Sequence, residues 1–300
     1  MINGIININK EKGYTSHDVV AKMRGILKTK KIGHTGTLDP DAEGVLALCI
    51  GNATKLVELI TDKEKTYEAV LKLGISTDTQ DITGKVLKTS EVNVTIDEIE
   101  KVIKSYIGGY MQLPPMYSAI KVNGQKLYEL ARQGKEINRE RRSVVIHNIS
   151  IHTINIDEHE LTIIVDCGKG TYIRTLINDI GEDLGCGGTM KSLIRTAVGD
   201  FKIQNAYKLS DIEELVMINQ LDKALQRTED VLSAYPKLVM NKEFERFVHN
   251  GNPFLIKHVA VPNQAPLEDM VRVYDGDNNF IGLYKYDKDK ERYSPVKMFL

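Results

Sequence analysis

The sequence predicts an α+β fold: a large domain over residues 1–235 that mixes strands with amphipathic helices, then a small β-rich module over 236–300. Three observations predict it. Alternating or β-branched runs, such as Lys65 to Leu73 and Val144 to Ile156, recur between stretches with apolar residues three and four apart. A chain of 300 residues carries a prior of roughly two domains. Composition shifts near Tyr235-Pro236, and beyond it short strand-like runs are broken by turn signals such as Asp275-Gly276-Asp277-Asn278-Asn279.

The elements follow in order. Thr15 and Asp18 form a capping box ahead of a helix with Val19, Val20, Met23, Ile26 and Leu27 on its apolar stripe. A glycine-punctuated loop then runs into Val45 to Ile50, an apolar run that reads as a buried strand. A short helix carries Leu56, Val57, Leu59 and Ile60. In Lys65 to Leu73, Tyr67, Ala69, Leu71 and Leu73 share one face of a strand. Thr95 and Glu98 cap a second helix with Ile96, Ile99, Val102, Ile103 and Tyr106 on its stripe, and Gly108-Gly109 ends it. Residues 112–142 read as a loop-rich insertion, since Gln112-Leu113-Pro114-Pro115-Met116-Tyr117-Ser118 cannot be regular structure. Val144 to Ile156 pairs with Leu161 to Cys167. The next helix buries Ile173, Leu176, Ile177, Ile180 and Leu184 and stops at Gly185, and Ser210 with Glu213 caps a later one.

Composition excludes several classes. Hydrophobic content of 42% supports a core, and 27% charged residues argue against disorder. No apolar run reaches the length of about 18 residues that a membrane span needs. Met1-Ile2-Asn3-Gly4 lacks the features of a secretory signal, and Cys49, Cys167 and Cys186 form no CxxC pair. The expectation is a cytoplasmic protein with no disulfide framework and no zinc site. Net charge is −1, yet basic residues concentrate in two segments, Lys10 to Lys31 and Lys121 to Arg142. Two such segments on a neutral chain suggest a directed polyanion site, although either alone is equally a solvated face.

The loop Gly33-His34-Thr35-Gly36-Thr37-Leu38-Asp39-Pro40-Asp41-Ala42-Glu43-Gly44 is the richest stretch. Pro40 stiffens the bend and keeps Asp39 out of the helical region. Asp before Pro is ordinarily a turn residue, and His34 ordinarily a satisfied loop histidine. Both within one short span tilt the reading toward a site. Arg174 sits in the first turn of its helix, where the macrodipole disfavours a cation, and a buried carboxylate would supply the reason. An arginine beside Asp39 would hold that carboxyl ionised and below its ordinary pKa. Tyr67 is either a core tyrosine or a ring that stacks on a planar ligand, and Tyr172 is equally open.

These residues together resemble the bacterial tRNA pseudouridine synthase B (TruB) family, the tRNA pseudouridine-55 synthases. Five motifs carry the resemblance in order: Gly33 to Pro40; Lys65-Thr66-Tyr67; Gln112 to Ser118 with Lys121-Val122-Asn123-Gly124 and Ala131-Arg132-Gln133-Gly134; Gly170-Thr171-Tyr172-Ile173-Arg174; and Leu193-Ile194-Arg195-Thr196-Ala197-Val198-Gly199. Ile194 departs from the second basic residue often found there.

The resemblance implies a mixed, largely antiparallel central sheet flanked by helices and loops, with a C-terminal PUA-like RNA-binding module. It implies isomerisation of the T-loop uridine of tRNA without cofactor or metal. Asp39 would be the essential carboxylate, Arg174 its partner, Tyr67 the ring against the flipped uracil and Tyr172 a hydrogen-bonding neighbour. His34 would fill the space the flipped nucleotide leaves, and Leu193 would pack against the base. Lys10, Lys31, Lys121, Arg132 and Arg142 would contact RNA. The partner is the tRNA T-stem-loop, with no membrane, no obligatory protein partner and a monomeric chain. Two alternatives are a non-catalytic tRNA-binding or tRNA-folding protein on the same scaffold, and a glycoside hydrolase that uses Asp39 with Asp41 or Glu43.

Overall fold

Isoleucines on both sides of one strand set the layering. In β1 (Gly4–Lys10), Ile6 and Ile8 face one apolar cluster and Ile5 faces the opposite one, as alternation along a strand requires. The computed structural model describes residues 2–118, 120–122, 124–135, 137–262 and 269–300. Helix α1 (Ser16–Leu27) starts at the Thr15–Asp18 capping box and buries Val19, Val20, Met23 and Leu27 on the Ile6/Ile8 side. After β2 (Ile32–His34), β3 (Glu43–Ile50) repeats the division. Leu46, Leu48 and Ile50 join the cluster under α1, whereas Val45, Ala47 and Cys49 face the other way. The run 45–50 is therefore apolar throughout because both of its faces are covered.

A 3-10 turn over Gly51–Leu56 leads into the short α2 (Val57–Thr61). Strand β4 (Lys65–Leu73) alternates as its sequence predicts: Tyr67, Ala69, Leu71 and Leu73 are buried and the intervening residues half-buried. A hairpin of β5 (Ile75–Thr77) and β6 (Val86–Thr89) precedes α3 (Ile96–Ser105) and β7 (Gly108–Gln112). The insertion holds β8 (Lys121–Val122), β9 (Gln125–Lys126) and α4 (Leu127–Arg132). Strands β10 (Arg142–Asn155) and β11 (Glu160–Cys167) pair antiparallel, and α5 (Ile173–Asp183) packs Leu176, Ile177 and Ile180 into the Tyr67 cluster. Next come β12 (Gly188–Val198), β13 (Phe201–Lys202), α6 (Leu209–Met217), β14 (Leu225–Gln226) and α7 (Thr228–Val231).

The main sheet has the order β14-β1-β3-β12-β4-β11-β10-β7, with β13 on β12 and β2 on β3. Its one parallel pairing among the described strands joins β12 to β3, where Arg195 lies opposite Gly44. A Cβ at Gly44, which has a φ of 107°, would fall 2.2 Å from the Arg195 carbonyl oxygen. The glycine is thus what lets the two halves of the sheet close on each other. The sheet is mixed and largely antiparallel, as the resemblance implies.

The C-terminal region is a five-stranded sheet built from β15 (Lys237–Val239), β16 (Phe254–Leu255), β17 (Met270–Tyr274), β18 (Phe280–Asp287) and β19 (Arg292–Met298), with α7 before it and α8 (Glu245–His249) inside it. It has its own core around Phe254, Tyr284 and Tyr293. It also shares a cluster with the main sheet: Leu283, Met270, Phe280 and Phe299 pack with Ile5, Val45, Val198 and Phe201.

Four local readings change. Gly108 begins β7 rather than ending α3, which stops on its own at Tyr106. Helix α6 is capped from Lys208, whose N–H donates to Asp211 Oδ2 at 2.8 Å, so Ser210 and Glu213 lie inside the helix. The insertion is partly regular, because Leu127 and Leu130 have an apolar face to bury. Strands β1 and β12 were not read from sequence. Strand β1 is covered on both faces, and β12 mixes buried, half-buried and exposed residues across register shifts, so neither shows a clean alternation.

Candidate active site

The loop between β2 and β3 is pinned from beneath by buried cations. Thr35 continues the strand, donating its N–H and its hydroxyl to the Ala47 carbonyl, each at 3.2 Å. Ser16 at the head of α1 accepts from the Leu38 N–H at 2.9 Å. Lys10 is 1% exposed and its Nζ donates to the carbonyls of Tyr14, Glu11 and Pro40 at 2.6, 3.1 and 3.1 Å. Arg195, also 1% exposed, donates from Nε to the Val45 carbonyl at 2.8 Å and from a terminal nitrogen to Gly36 at 3.1 Å. Each cation uses its donors to satisfy carbonyls that water cannot reach. Asp39 is left on a short turn, closed by the Ala42 N–H on its carbonyl at 3.1 Å.

Arg174 meets Asp39 there. Its Nε lies 3.1 Å from Asp39 Oδ2, with the arginine side chain 6% exposed and the aspartate 43% exposed. The rest of the guanidinium is spent on two further segments. One terminal nitrogen donates to the Thr79 carbonyl at 3.2 Å and to Asp81 Oδ2 at 3.3 Å, and the other donates to the Tyr117 carbonyl at 2.9 Å. One side chain therefore ties the loop before β3, the turn of the β5–β6 hairpin and the root of the insertion to the start of α5. Asp81 is itself fixed by Thr79 Oγ1 at 2.9 Å and Thr83 Oγ1 at 2.6 Å.

The expected depression of the Asp39 pKa is not what this environment gives. Burial raises it, Arg174 pulls it down, and Asp81 pushes it up again, with a net upward shift. One cation shared between two carboxylates does not fully offset desolvation. Asp39 is consequently a more basic carboxylate than a free aspartate, and it remains partly exposed.

Tyr67 is buried on β4, opposite Arg195 in register. Burial raises its phenol, with the Arg195 charge opposing, so the hydroxyl is neutral. Leu193 and Leu38 belong to the same apolar cluster as Tyr67. Tyr172 caps α5; burial raises its phenol too, and Ser118, Arg142 and Arg174 oppose the shift. His34 is half-buried, its ring 5.4 Å from that of His17 in an edge arrangement, and burial lowers its pKa so that it is neutral.

The structure thus brings Arg174 onto Asp39, with Tyr67 and Tyr172 close enough to feel the Asp39 charge and Leu193 in the Tyr67 cluster. It reassigns Lys10. That side chain is an internal brace of the Asp39 turn, not a surface contact for phosphate, and burial lowers its pKa to about 8 against the pull of Asp39, Glu43 and Asp41. Lys31 and Arg142 are exposed, Lys31 donating to Asn52 Oδ1 at 3.3 Å. Exposed Arg132 lies over the Tyr128 ring, its guanidinium carbon 5.4 Å from the centroid. The side chain of Lys121 lies outside the described residues. Arg195 and Asp81 were not singled out. An arginine beside apolar residues in β12 was the available signal for the first. The second is recognisable only once Arg174 reaches it. Among the described residues, Glu245, His249 and Asp275 form a group within ligand distance of one another, all in the C-terminal region and none in the Asp39 cleft.

Residues 24–173 match the TruB family pseudouridylate synthase N-terminal domain, and residues 174–233 match the tRNA pseudouridylate synthase B C-terminal domain. The chain is 54% identical to tRNA pseudouridine synthase B of Lachnoclostridium phytofermentans, covering 100% of both chains. It is 46% identical to tRNA pseudouridine synthase B of Bacillus subtilis, covering 100% of this chain and 98% of that one. The solved structure of a Cbf5-Nop10-Gar1 complex superposes with a TM-score of 0.75 at 27% identity, covering 99% of this chain and 85% of that one. With the two family models together matching residues 24–233, and with full-length relatives 46–54% identical, the chain belongs to the TruB family of pseudouridylate synthases.

Proposed function

We propose that the chain converts a uridine in the T-loop of tRNA, position 55, to pseudouridine, with Asp39 as the essential carboxylate. The observation that carries this is the Asp39–Arg174 pair at 3.1 Å, with Asp39 partly exposed and the Tyr67 and Leu193 cluster beside it. The N1–C1′ bond breaks, the uracil turns, a C5–C1′ bond forms, the C5 proton leaves and N1 takes up a proton, so the product is an isomer of the substrate. Atoms balance with no donor or oxidant. Asp39 has three chemical roles open to it: addition at C6, attack at C1′, or removal of the 2′ proton to give a glycal. Its raised basicity suits proton removal, since a base works best when its pKa approaches the working pH. Arg174 orients the carboxylate. Tyr67, neutral and buried, offers a ring for the flipped base, and Tyr172 borders it. His34, at the mouth of the loop, fills the space the nucleotide leaves.

Flipping a base costs a few kcal/mol. Lys31, Lys121, Arg132 and Arg142 would offset that through salt-sensitive phosphate contacts. Residues 1–235 form the catalytic domain with its insertion at about 112–142, and 236–300 form a PUA-like RNA-binding domain. The family resemblance implies a monomer that acts without an obligatory protein partner, in the cytoplasm where tRNA is its substrate. The test is incubation with an unmodified tRNA transcript followed by mapping of new pseudouridine. A transcript that gains none, with folded protein in excess, refutes the reading.

A further inference from the structure

Gln112 is a neutral polar side chain, 1% exposed, at the end of β7. Its Oε1 accepts from the Tyr172 N–H at 2.8 Å, and its Nε2 donates to the Tyr172 carbonyl at 2.9 Å. One planar amide thus grips both backbone groups of one residue, as a neighbouring strand would. The same amide faces the Tyr110 hydroxyl. Tyr110 stands two residues earlier on the same face of β7 and donates to Asp179 of α5. Tyr106, just before β7, donates to Asp183 at 2.6 Å. The edge strand is laced to α5 from its N-cap to its last residue.

This lacing matters at the N-cap. Tyr172 supplies no side-chain cap to α5, so nothing on its own residue fixes the entry angle of the helix. Arg174 lies in the first turn and must reach Asp39, Asp81 and the Tyr117 carbonyl at once. A small rotation of that turn would break all three. A buried amide left unpaired costs about 1–3 kcal/mol, which selects the one arrangement in which both of its groups are used.

We propose that Gln112 is a positioning residue for the isomerisation. It fixes the Tyr172 backbone, and through it the aim of the Tyr172 phenol and of the Arg174 guanidinium on Asp39. Gln112 touches no reacting atom. Its kinetic consequence rests on the proposed isomerase reading, whereas the clamp on the backbone does not.

The experiment compares wild type with Gln112→Leu, Gln112→Glu and Gln112→Asn. Leu removes both bonds, Glu keeps the acceptor and loses the donor, and Asn keeps both groups on an arm too short to reach. Single-turnover rates at saturating tRNA transcript should fall about 10- to 100-fold in all three, with tRNA dissociation constants within about threefold. In Gln112→Leu the Tyr172 amide should exchange faster with solvent deuterium than the drop in global stability accounts for, with core amides of β4 and β11 changed only by that global drop. Combining Gln112→Leu with Arg174→Lys should cost less than the product of the single losses, because one acts through the other. Wild-type rates in the three variants, a loss of rate that tracks the loss of folded protein, or multiplicative losses in the double variant would each overturn the proposal. A wild-type protein that makes no pseudouridine would refute the isomerase reading instead. Tyr172 exchange would still decide the clamp, and unchanged exchange in Gln112→Leu would overturn it.

Discussion

The ammonium of Lys10 donates to the carbonyl of Pro40 at 3.1 Å, from inside the protein, one residue from Asp39. A surface-looking lysine in a basic segment is thereby the floor of the loop that carries the carboxylate. Replacing Lys10 with Met should strand three carbonyls that now share its protons. The expected cost is about 2–3 kcal/mol in denaturant unfolding, with a loss of activity beyond the loss of folded protein. A Lys10→Met protein with wild-type stability but weaker tRNA binding would return Lys10 to the surface.

Asp39→Asn should leave tRNA affinity within a few-fold and abolish pseudouridine formation. The amide keeps the shape of the turn and still meets Arg174, but it cannot take a proton. Tritium release from C5-labelled tRNA measures it, and the rate should drop at least about 10²- to 10⁴-fold.

The acid limb of the pH-rate profile should lie above the range of an ordinary aspartate, because burial raises the Asp39 carboxyl and its ionised form is the active one. Asp81→Asn removes a neighbouring negative charge that contributes to that rise, so the limb should move to lower pH. In stability the sign is opposite to that of a salt-bridged carboxylate with a depressed pKa. The folded chain takes up this proton at higher pH than the unfolded chain, so this group favours the folded state as pH falls through its raised value. A single-turnover pH profile of both proteins decides the first point.

Tyr67→Phe should keep base stacking and the core while slowing chemistry, since only the hydroxyl facing Arg195 is lost. Tyr67→Ala opens a cavity in the main cluster and should destabilise by about 3–5 kcal/mol. Equal single-turnover rates for wild type and Tyr67→Phe would reduce the hydroxyl to a packing role.

Truncation after residue 235 should weaken RNA binding, and the structure adds a second consequence. Leu283, Met270, Phe280 and Phe299 cover Ile5, Val45, Val198 and Phe201, so the shortened chain exposes apolar surface. Its melting temperature should fall below that of the full chain. An equally stable truncation that still isomerises its substrate would show that this shared cluster is dispensable.

Much of this was legible in the chain. Alternation in Lys65 to Leu73, the capping boxes at Thr15 and Thr95 and the apolar run into Ile50 are local patterns, and local sterics and hydrogen bonding decide them. The cation in the first turn of α5 signalled a carboxylate partner, and Asp39 is that partner. What stayed hidden is whatever depends on approach between distant segments. Lys10 and Lys31 look alike in sequence, yet one is buried and the other exposed. Arg195 was visible only as part of a motif. Asp81 was not singled out. The sign of the Asp39 shift follows from how much water the cleft excludes and from a second carboxylate brought in on another hairpin. The sequence by itself determined many of the elements, the family and the expectation that Arg174 meets Asp39. Tertiary structure alone decided which cations hold the backbone and which face solvent, because burial and electrostatic screening belong to the assembled surface and not to any stretch of chain.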